Sequence, residues 1–354
     1  MWWTRKDGGG PPAAAAATGG SRVYRTFREI ALQLLIIVAT LATTELVLRV
    51  IDLRELRDGY GRGYTVVHRY DPELGWLPIP NSVGLFAGSR TISIQHNSLG
   101  LRDIEHQPTD RPTVMFVGDS FVWGYDVEAD ERFTDLLRAE LPGIEIVNVG
   151  VNGYGTDQEY LLLNRVWNAF RPDVVVLNFT SSNDRNDNTS NMISDGYYKP
   201  YFAQAADGSW RFLGQPVPRS RQSYFTDNPF VKNLWLARLA VTAYIYVRHP
   251  QIAVPDPTER LVGMMRDFVE SKGARFLVGL QYQDAKLQSF LQAQAITYTS
   301  FDDAPSYGVQ GNHWTPKGHA LVADRIKAML TESGVLKSLS DLPPGRRTGQ
   351  QATP

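Results

Sequence analysis

The chain has 354 residues, 43% hydrophobic and 21% charged, and its 36 Lys+Arg against 37 Asp+Glu leave a formal net charge of −1. That balance excludes a wholly disordered chain, and it excludes a polyanion-binding protein, because nucleic-acid binders carry a basic excess on at least one domain. With no cysteine in the sequence, disulfides, thiolate catalysis, Cys-type zinc sites and iron–sulfur clusters are excluded together.

Residues 1–20 are rich in Gly, Pro and Ala and cannot bury a core, which predicts a disordered tail reaching to residue 29. Residues 30–48 are apolar or small almost throughout, with Glu45 as the single charge. A helix of that length spans a hydrocarbon layer of about 30 Å, so residues 30–51 are read as a transmembrane helix. A cleaved signal peptide is the rival, with Ala39 and Ala42 as small residues near a cleavage site. Against cleavage, the apolar run resumes after Glu45 as Leu46, Val47 and Leu48. Arg22, Arg25 and Arg28 precede the run while Arg49, Arg54, Arg57 and Arg62 follow it, so the basic count leaves the orientation open. A single N-terminal signal-anchor normally leaves the long C-terminal part outside, and an extracytoplasmic domain, periplasmic or extracellular, is therefore expected.

Residues 52–110 read as a linker around Gly59 and Gly63 and then a small strand-rich segment, where Thr91, Ile92, Ser93 and Ile94 alternate. From residue 111 the rhythm changes. Strands are predicted at 114–117, 144–148 and 174–179, with helices at 133–141 and 157–170 between them. The series resumes with a helix at 258–271, strands at 275–280 and 296–299, and a last helix at 316–330. Alternation at this spacing predicts a three-layer α/β/α sandwich with a central parallel sheet over residues 111–335, followed by a disordered tail at 336–354. An insertion at about 185–257 interrupts it. Its first part is rich in aromatic residues (Tyr197, Tyr198, Tyr201, Phe202, Trp210, Phe212), which could stack on sugar rings or line an acyl channel.

The first strand runs into Gly118, Asp119 and Ser120, and a serine at the C-terminal end of a parallel strand sits where open α/β sheets bind ligands. The G-x-S-x-G elbow is absent. Gly150, Gly153 and Gly155 follow the second strand without the spacing of a dinucleotide loop, and a plain turn stays open there. Asn183 and Asp184 follow the third strand. His313 stands on the loop before the last helix, and its competitor His319 falls inside the start of that helix.

These four blocks resemble the SGNH superfamily of serine esterases, also called GDSL hydrolases, over residues 113–330. The resemblance implies a flavodoxin-like sheet, Ser120 as nucleophile and His313 as general base. It also implies an oxyanion hole made by the Gly153 backbone N–H and the Asn183 side-chain amide, with the Ser120 N–H as a further donor. An acidic residue normally stands three positions before the histidine, and here that position is Gln310. Glutamine can accept the Nδ1–H but brings no charge, so Asp302 or Asp303 are alternative orienting groups. The expected activity is ester hydrolysis through an acyl-enzyme, without metal or organic cofactor. The expected substrate is an acylated small molecule or polysaccharide, a carbohydrate O-acetyl group first, and the expected partners are the membrane and no nucleic acid. An O-acyltransferase on the same residues, or a non-catalytic protein retaining the fold, are the alternatives.

Overall fold

A computed structural model of the chain describes residues 19–57, 68–193, 196–308 and 312–341. Helix α1 (Gly19–Ile51) begins well before residue 30, so the expected tail is shorter by the stretch from Gly19 onward. Once an apolar run has nucleated a helix, each further residue adds a hydrogen bond, and no Gly or Pro breaks the stretch from Arg22 to Glu29. The most apolar 18-residue stretch within residues 23–51 has a mean hydropathy of 2.1, and 6% of that stretch is buried inside the protein. The linker glycines Gly59 and Gly63 lie outside the described residues.

Two antiparallel hairpins follow, β1 (His68–Asp71) with β2 (Gly75–Pro78) and β3 (Val83–Ala87) with β4 (Thr91–Gln95). The alternation read in the sequence is real in β4, where Ile92 and Ile94 are buried while Thr91, Ser93 and Gln95 are exposed. The strand–helix alternation then supplies β5 (Thr113–Gly118), α2 (Ser120–Trp123), α3 (Phe133–Glu140), β6 (Glu145–Gly150), α4 (Thr156–Phe170), β7 (Val174–Phe179) and α5 (Asp184–Asp187). The insertion holds a hairpin, β8 (Tyr201–Gln204) with β9 (Trp210–Leu213), and three helices, α6 (Arg221–Asp227), α7 (Pro229–Asn233) and α8 (Trp235–Arg248). The series closes with α9 (Thr258–Ser271), β10 (Arg275–Leu280), α10 (Ala285–Ala293), β11 (Thr297–Ser300), α11 (Pro316–Glu332) and α12 (Val335–Ser340).

The main sheet has five strands in the order β11-β10-β7-β5-β6, and every pairing in it is parallel. Period-two alternation feeds both faces. Met115, Val117, Val175 and Leu177 point to the layer of α4 and α9, while Val114, Phe116, Val174 and Val176 point to the layer of α3 and α11. The expected three-layer sandwich is therefore present. Its strand order reverses between β5, with β6 on one side, and β7, with the later strands on the other, and ligands in open α/β sheets bind at that switch point.

Two expectations need correction. The segment after residue 335 starts as α12, not as a tail, because Val335 and Leu339 bury against the α3 and α11 layer. Three of the insertion's aromatic rings, Tyr198, Phe202 and Phe212, pack against other parts of the fold instead of lining a cleft. Tyr198 and Phe202 are 1% exposed, Phe202 lies 5.1 Å from Phe212, and Phe212 stacks on Tyr160 of α4 at 5.6 Å. A hairpin too small to carry its own core covers an existing one.

Candidate active site

β5 ends at Gly118, and the chain turns into α2 so tightly that a methyl group on Gly118 would stand 2.4 Å from Val122 Cγ2. Asp119 caps the short helix, its carboxylate accepting the Phe121 N–H at 3.0 Å. Ser120 is the first helical residue and is 7% exposed. Across the sheet from Gly118, Gly150 lies under α2, where a Cβ would stand 2.3 Å from the backbone nitrogen of Trp123. Both strands thus end in glycine, paired in register, because α2 rests on their ends.

Three buried side chains fix that turn from outside it. Asn148 donates to Val122 O at 2.7 Å and to Thr134 Oγ1 at 2.9 Å. Arg102 donates to the carbonyls of Trp123, Gly124 and Val127. Arg132 donates to Trp123 O at 3.1 Å. None of these supports was read from the sequence, since an arginine before a strand gives no signal of where its guanidinium will go.

His313 arrives on the loop before α11, whose first turn is fixed by Thr315 capping Gly318 at 3.2 Å and by Pro316 at its start. Its Nε2 lies 2.8 Å from Ser120 Oγ, and Asp119 Oδ2, the competing acceptor, lies 3.5 Å away. The imidazole stacks on Tyr125 at 3.9 Å between ring centres and meets Phe121 at 4.8 Å. Tyr125 was not singled out in the sequence, where nothing distinguishes it from a loop aromatic. His319 has a different role: it is fully buried, accepts the Phe133 N–H at 3.3 Å and stacks on that ring. Burial first, then the nearby arginines, lowers its pKa to about 3, so it stays neutral.

Asn183 caps α5 after β7, and its amide donates to Asp119 Oδ2 at 3.2 Å and to Asp187 Oδ2 at 3.1 Å. Asp119 also accepts the Thr180 hydroxyl at 2.8 Å, which ties the β7 loop to the Ser120 turn. Gly153, after β6, has φ +81°, a conformation that a side chain strains. Among the described residues, no hydrogen bond occupies the backbone N–H of Ser120 or of Gly153. Trp76 from β2 covers this loop, its indole N–H reaching Asn152 O at 3.3 Å.

Of the candidate orienting groups, Asp302 accepts from the Gln283 N–H at 2.7 Å and the Ser300 hydroxyl at 2.6 Å, while Asp303 pairs with Arg325 at 2.7 Å. Neither hydrogen bond leads to His313. Gln310 lies outside the described residues.

Behind the serine lies a buried acidic layer of Asp119, Asp157, Glu159, Asp184 and Asp187, into which Lys199 reaches to pair with Asp157. Glu159 is 1% exposed, and both its oxygens lack a hydrogen-bond partner among the described residues. Burial, reinforced by the neighbouring carboxylates, raises its pKa well above the usual range. Burial also raises Asp119 and Asp184, and it pushes Asp187 up to about 6. Among the described residues no His, Asp or Glu group is arranged to hold a metal ion. A depression of about 520 Å³ lined by Arg111, Ile144 and Leu339 lies at the opposite end of the strands, away from Ser120.

The family model described as GDSL-like lipase/acylhydrolase matches residues 114–326. Solved structures similar to the chain include a member of the lipolytic protein G-D-S-L family from Veillonella parvula, at 12% identity over 62% of this chain and 98% of that one, with a TM-score of 0.36. The psychrotrophic esterase EstA from Pseudoalteromonas sp. is similar at 11% identity over 62% and 97%, with a TM-score of 0.35. An acetyl xylan esterase, AlAXEase, is similar at 11% identity over 61% and 98%, also with a TM-score of 0.35. No curated protein matches the chain.

Proposed function

The chain belongs to the GDSL-like lipase/acylhydrolase family and is a serine esterase, and on that premise we propose that it removes short acyl groups, O-acetyl above all, from a carbohydrate. The observation that carries the reading is the 2.8 Å approach of His313 Nε2 to Ser120 Oγ at the C-terminal end of β5. With the ring proton on Nδ1, Nε2 takes the Ser120 proton as Oγ attacks the ester carbonyl. The N–H groups of Ser120 and Gly153, joined by the Asn183 amide, stabilise the oxyanion. Collapse of the tetrahedral intermediate expels the sugar alcohol, which takes the proton from His313. Water then attacks the acyl-Ser120 ester with His313 again as base, releasing the carboxylic acid and restoring the serine.

A small acyl group suits the loop after β6, where Trp76 and Ile193 each stand 3.5 Å from the position a Gly153 side chain would take. Half-buried Tyr197, packed on Trp76 at 5.2 Å, sets an aromatic residue beside that loop, the kind of group on which sugar rings stack. In the same reading α1 anchors the chain in a membrane and the domain stands on the extracytoplasmic side. Fluorophosphonate labelling tests the nucleophile: the wild-type chain labels, and Ser120→Ala abolishes both labelling and acetate release from an acetylated polysaccharide while its melting temperature holds. Labelling retained by Ser120→Ala would move the nucleophile elsewhere. Appearance of the acetyl group on a second sugar, with none released as acetate, would make the protein an acyltransferase.

A further inference from the structure

α1 is clasped to the insertion near its C-terminal end. Glu45, the charge inside the apolar run, accepts the N–H groups of Trp235 at 3.0 Å and Leu236 at 2.9 Å, the first two residues of α8. Unpaired N–H groups at a helix start make a good seat for a carboxylate. Arg49 bonds Glu45 at 2.8 Å and the carbonyl of Asn233, the last residue of α7, at 2.6 Å. Arg238 closes the clasp by donating to Leu56 O at 2.8 Å. Glu45 precedes the end of α1 at Ile51 by less than two turns, about 9 Å. The α7–α8 junction is therefore held at the height where the apolar helix ends.

The outer side of α8 has an unusual composition. Between residues 234 and 247 the single charged side chain is Arg238, which is 5% exposed, so the exposed surface there carries no charge. Leu239, Ala240, Ala243, Tyr244 and Val247 face outward, Val247 at 86% exposure, and Phe230 of α7 stands out at 66%. Lys232 and Arg248 flank the stretch. A helix that faces water carries charge on its outer side, whereas an apolar, tyrosine-bearing face between basic ends suits a membrane interface.

We propose that α7 and α8 lie on the bilayer, with Phe230, Leu239 and Val247 in the headgroup layer and the Glu45 clasp holding them there. The domain then rests on the lipid in one orientation instead of swinging on a tether. This rests on the reading of α1 as a membrane anchor.

Because the chain has no cysteine, one installed thiol reports one place. Full-length Leu239→Cys, Val247→Cys, Ile36→Cys in α1 and Ser289→Cys on the exposed side of α10 are each labelled with an environment-sensitive fluorophore. They are then reconstituted in phosphatidylcholine–phosphatidylglycerol vesicles containing spin-labelled quencher lipids. Quenching at Leu239→Cys and Val247→Cys several-fold above that at Ser289→Cys is expected. Quenching at Ile36→Cys with none above background at the two α8 positions would overturn the proposal and leave the anchor standing. No quenching at Ile36→Cys would remove the anchor reading and the proposal with it. Cross-linking of Val247→Cys between two copies, without lipid quenching, assigns the face to a second molecule and overturns the proposal equally.

Discussion

Asn183 shows how one side chain can serve two accounts at once. Its amide is the side-chain donor proposed for the oxyanion, and it also satisfies two buried carboxyl groups, Asp119 and Asp187. Removing a transition-state donor lowers turnover by roughly 10²–10³ and leaves ground-state binding almost untouched. Stripping a donor from buried acceptors costs about 1–3 kcal/mol. Asn183→Ala is therefore expected to cut kcat about a hundredfold with KM little changed, and to lower the melting temperature as well; steady-state kinetics with thermal denaturation checks both. A variant that melts lower with unchanged kcat would make Asn183 purely structural. Ser120 and His313 stand out in the sequence through four blocks that resemble one superfamily as much as through their places beside predicted element boundaries, and the structure brings the two side chains to 2.8 Å. Loop placement together with the resemblance favours His313 over His319, and the structure places His319 buried against Phe133 of α3, away from Ser120. The stack of Tyr125 on His313 was not legible, since it depends on a contact between residues far apart in the chain.

At the scale of elements, α2 sits on two glycine strand ends, and α4 and α5 close an acidic layer beneath it. The main-sheet strands were legible as short continuous apolar runs, buried on both faces, and the flanking helices by their own repeat, so that the helix 258–271 and the strand 275–280 fall where expected. The helices α10 and α12 were not, being short and stabilised by docking more than by their own pattern. A Cβ at Gly150 would press on the backbone of Trp123 and Val122, which cannot yield as a side chain can. Gly150→Ala is thus expected to cost about 1–3 kcal/mol through overpacking and, by displacing α2, to slow fluorophosphonate labelling of Ser120; normal labelling at full stability would show that α2 tolerates the shift. The acidic layer gives a second outcome. A carboxyl group whose folded pKa is raised binds its proton more tightly in the folded chain, so its contribution to stability is complete at low pH. That contribution is lost as pH rises from the unfolded pKa toward the folded one. For Asp187 the window runs from 3.8 to about 6, and for Glu159 it opens at 4.5 and extends well above. Glu159→Gln is neutral at every pH, so its melting temperature should fall less than that of the wild type between about pH 5 and about pH 8. Parallel curves would mean that Glu159 does not titrate in the folded chain.

For the whole molecule, the five-stranded sheet and α1 are separate units joined through the insertion. The helices α6 to α8 were illegible in the sequence because their buried faces are set by contacts between segments far apart in the chain: Tyr224 and Ile245 pack with Tyr198 and Val217, and α8 is held by Glu45 of α1 and by the loop at Leu56. Ser120, Gly153, Asn183 and His313 stand on loops of the sheet and on the approach to α11, whereas Glu45, Arg49 and Leu56 touch α7 and α8. A chain beginning at Tyr64 loses α1 and the buried Leu56, and it leaves the first N–H groups of α8 and the Arg238 guanidinium without those partners. Such a chain should be released from the membrane fraction and keep the kcat of the full-length protein on a soluble acetyl ester, because nothing at the serine depends on the clasp. It should nevertheless melt lower, by roughly 2–4 °C for each kcal/mol lost in a domain of this size, and Glu45→Ala in the full-length chain should reproduce part of that loss, since it removes the carboxylate while keeping the helix and Leu56. Equal melting temperatures in all three proteins would show that the clasp contributes nothing to stability, and an inactive truncated chain would show that the anchor shapes the active site.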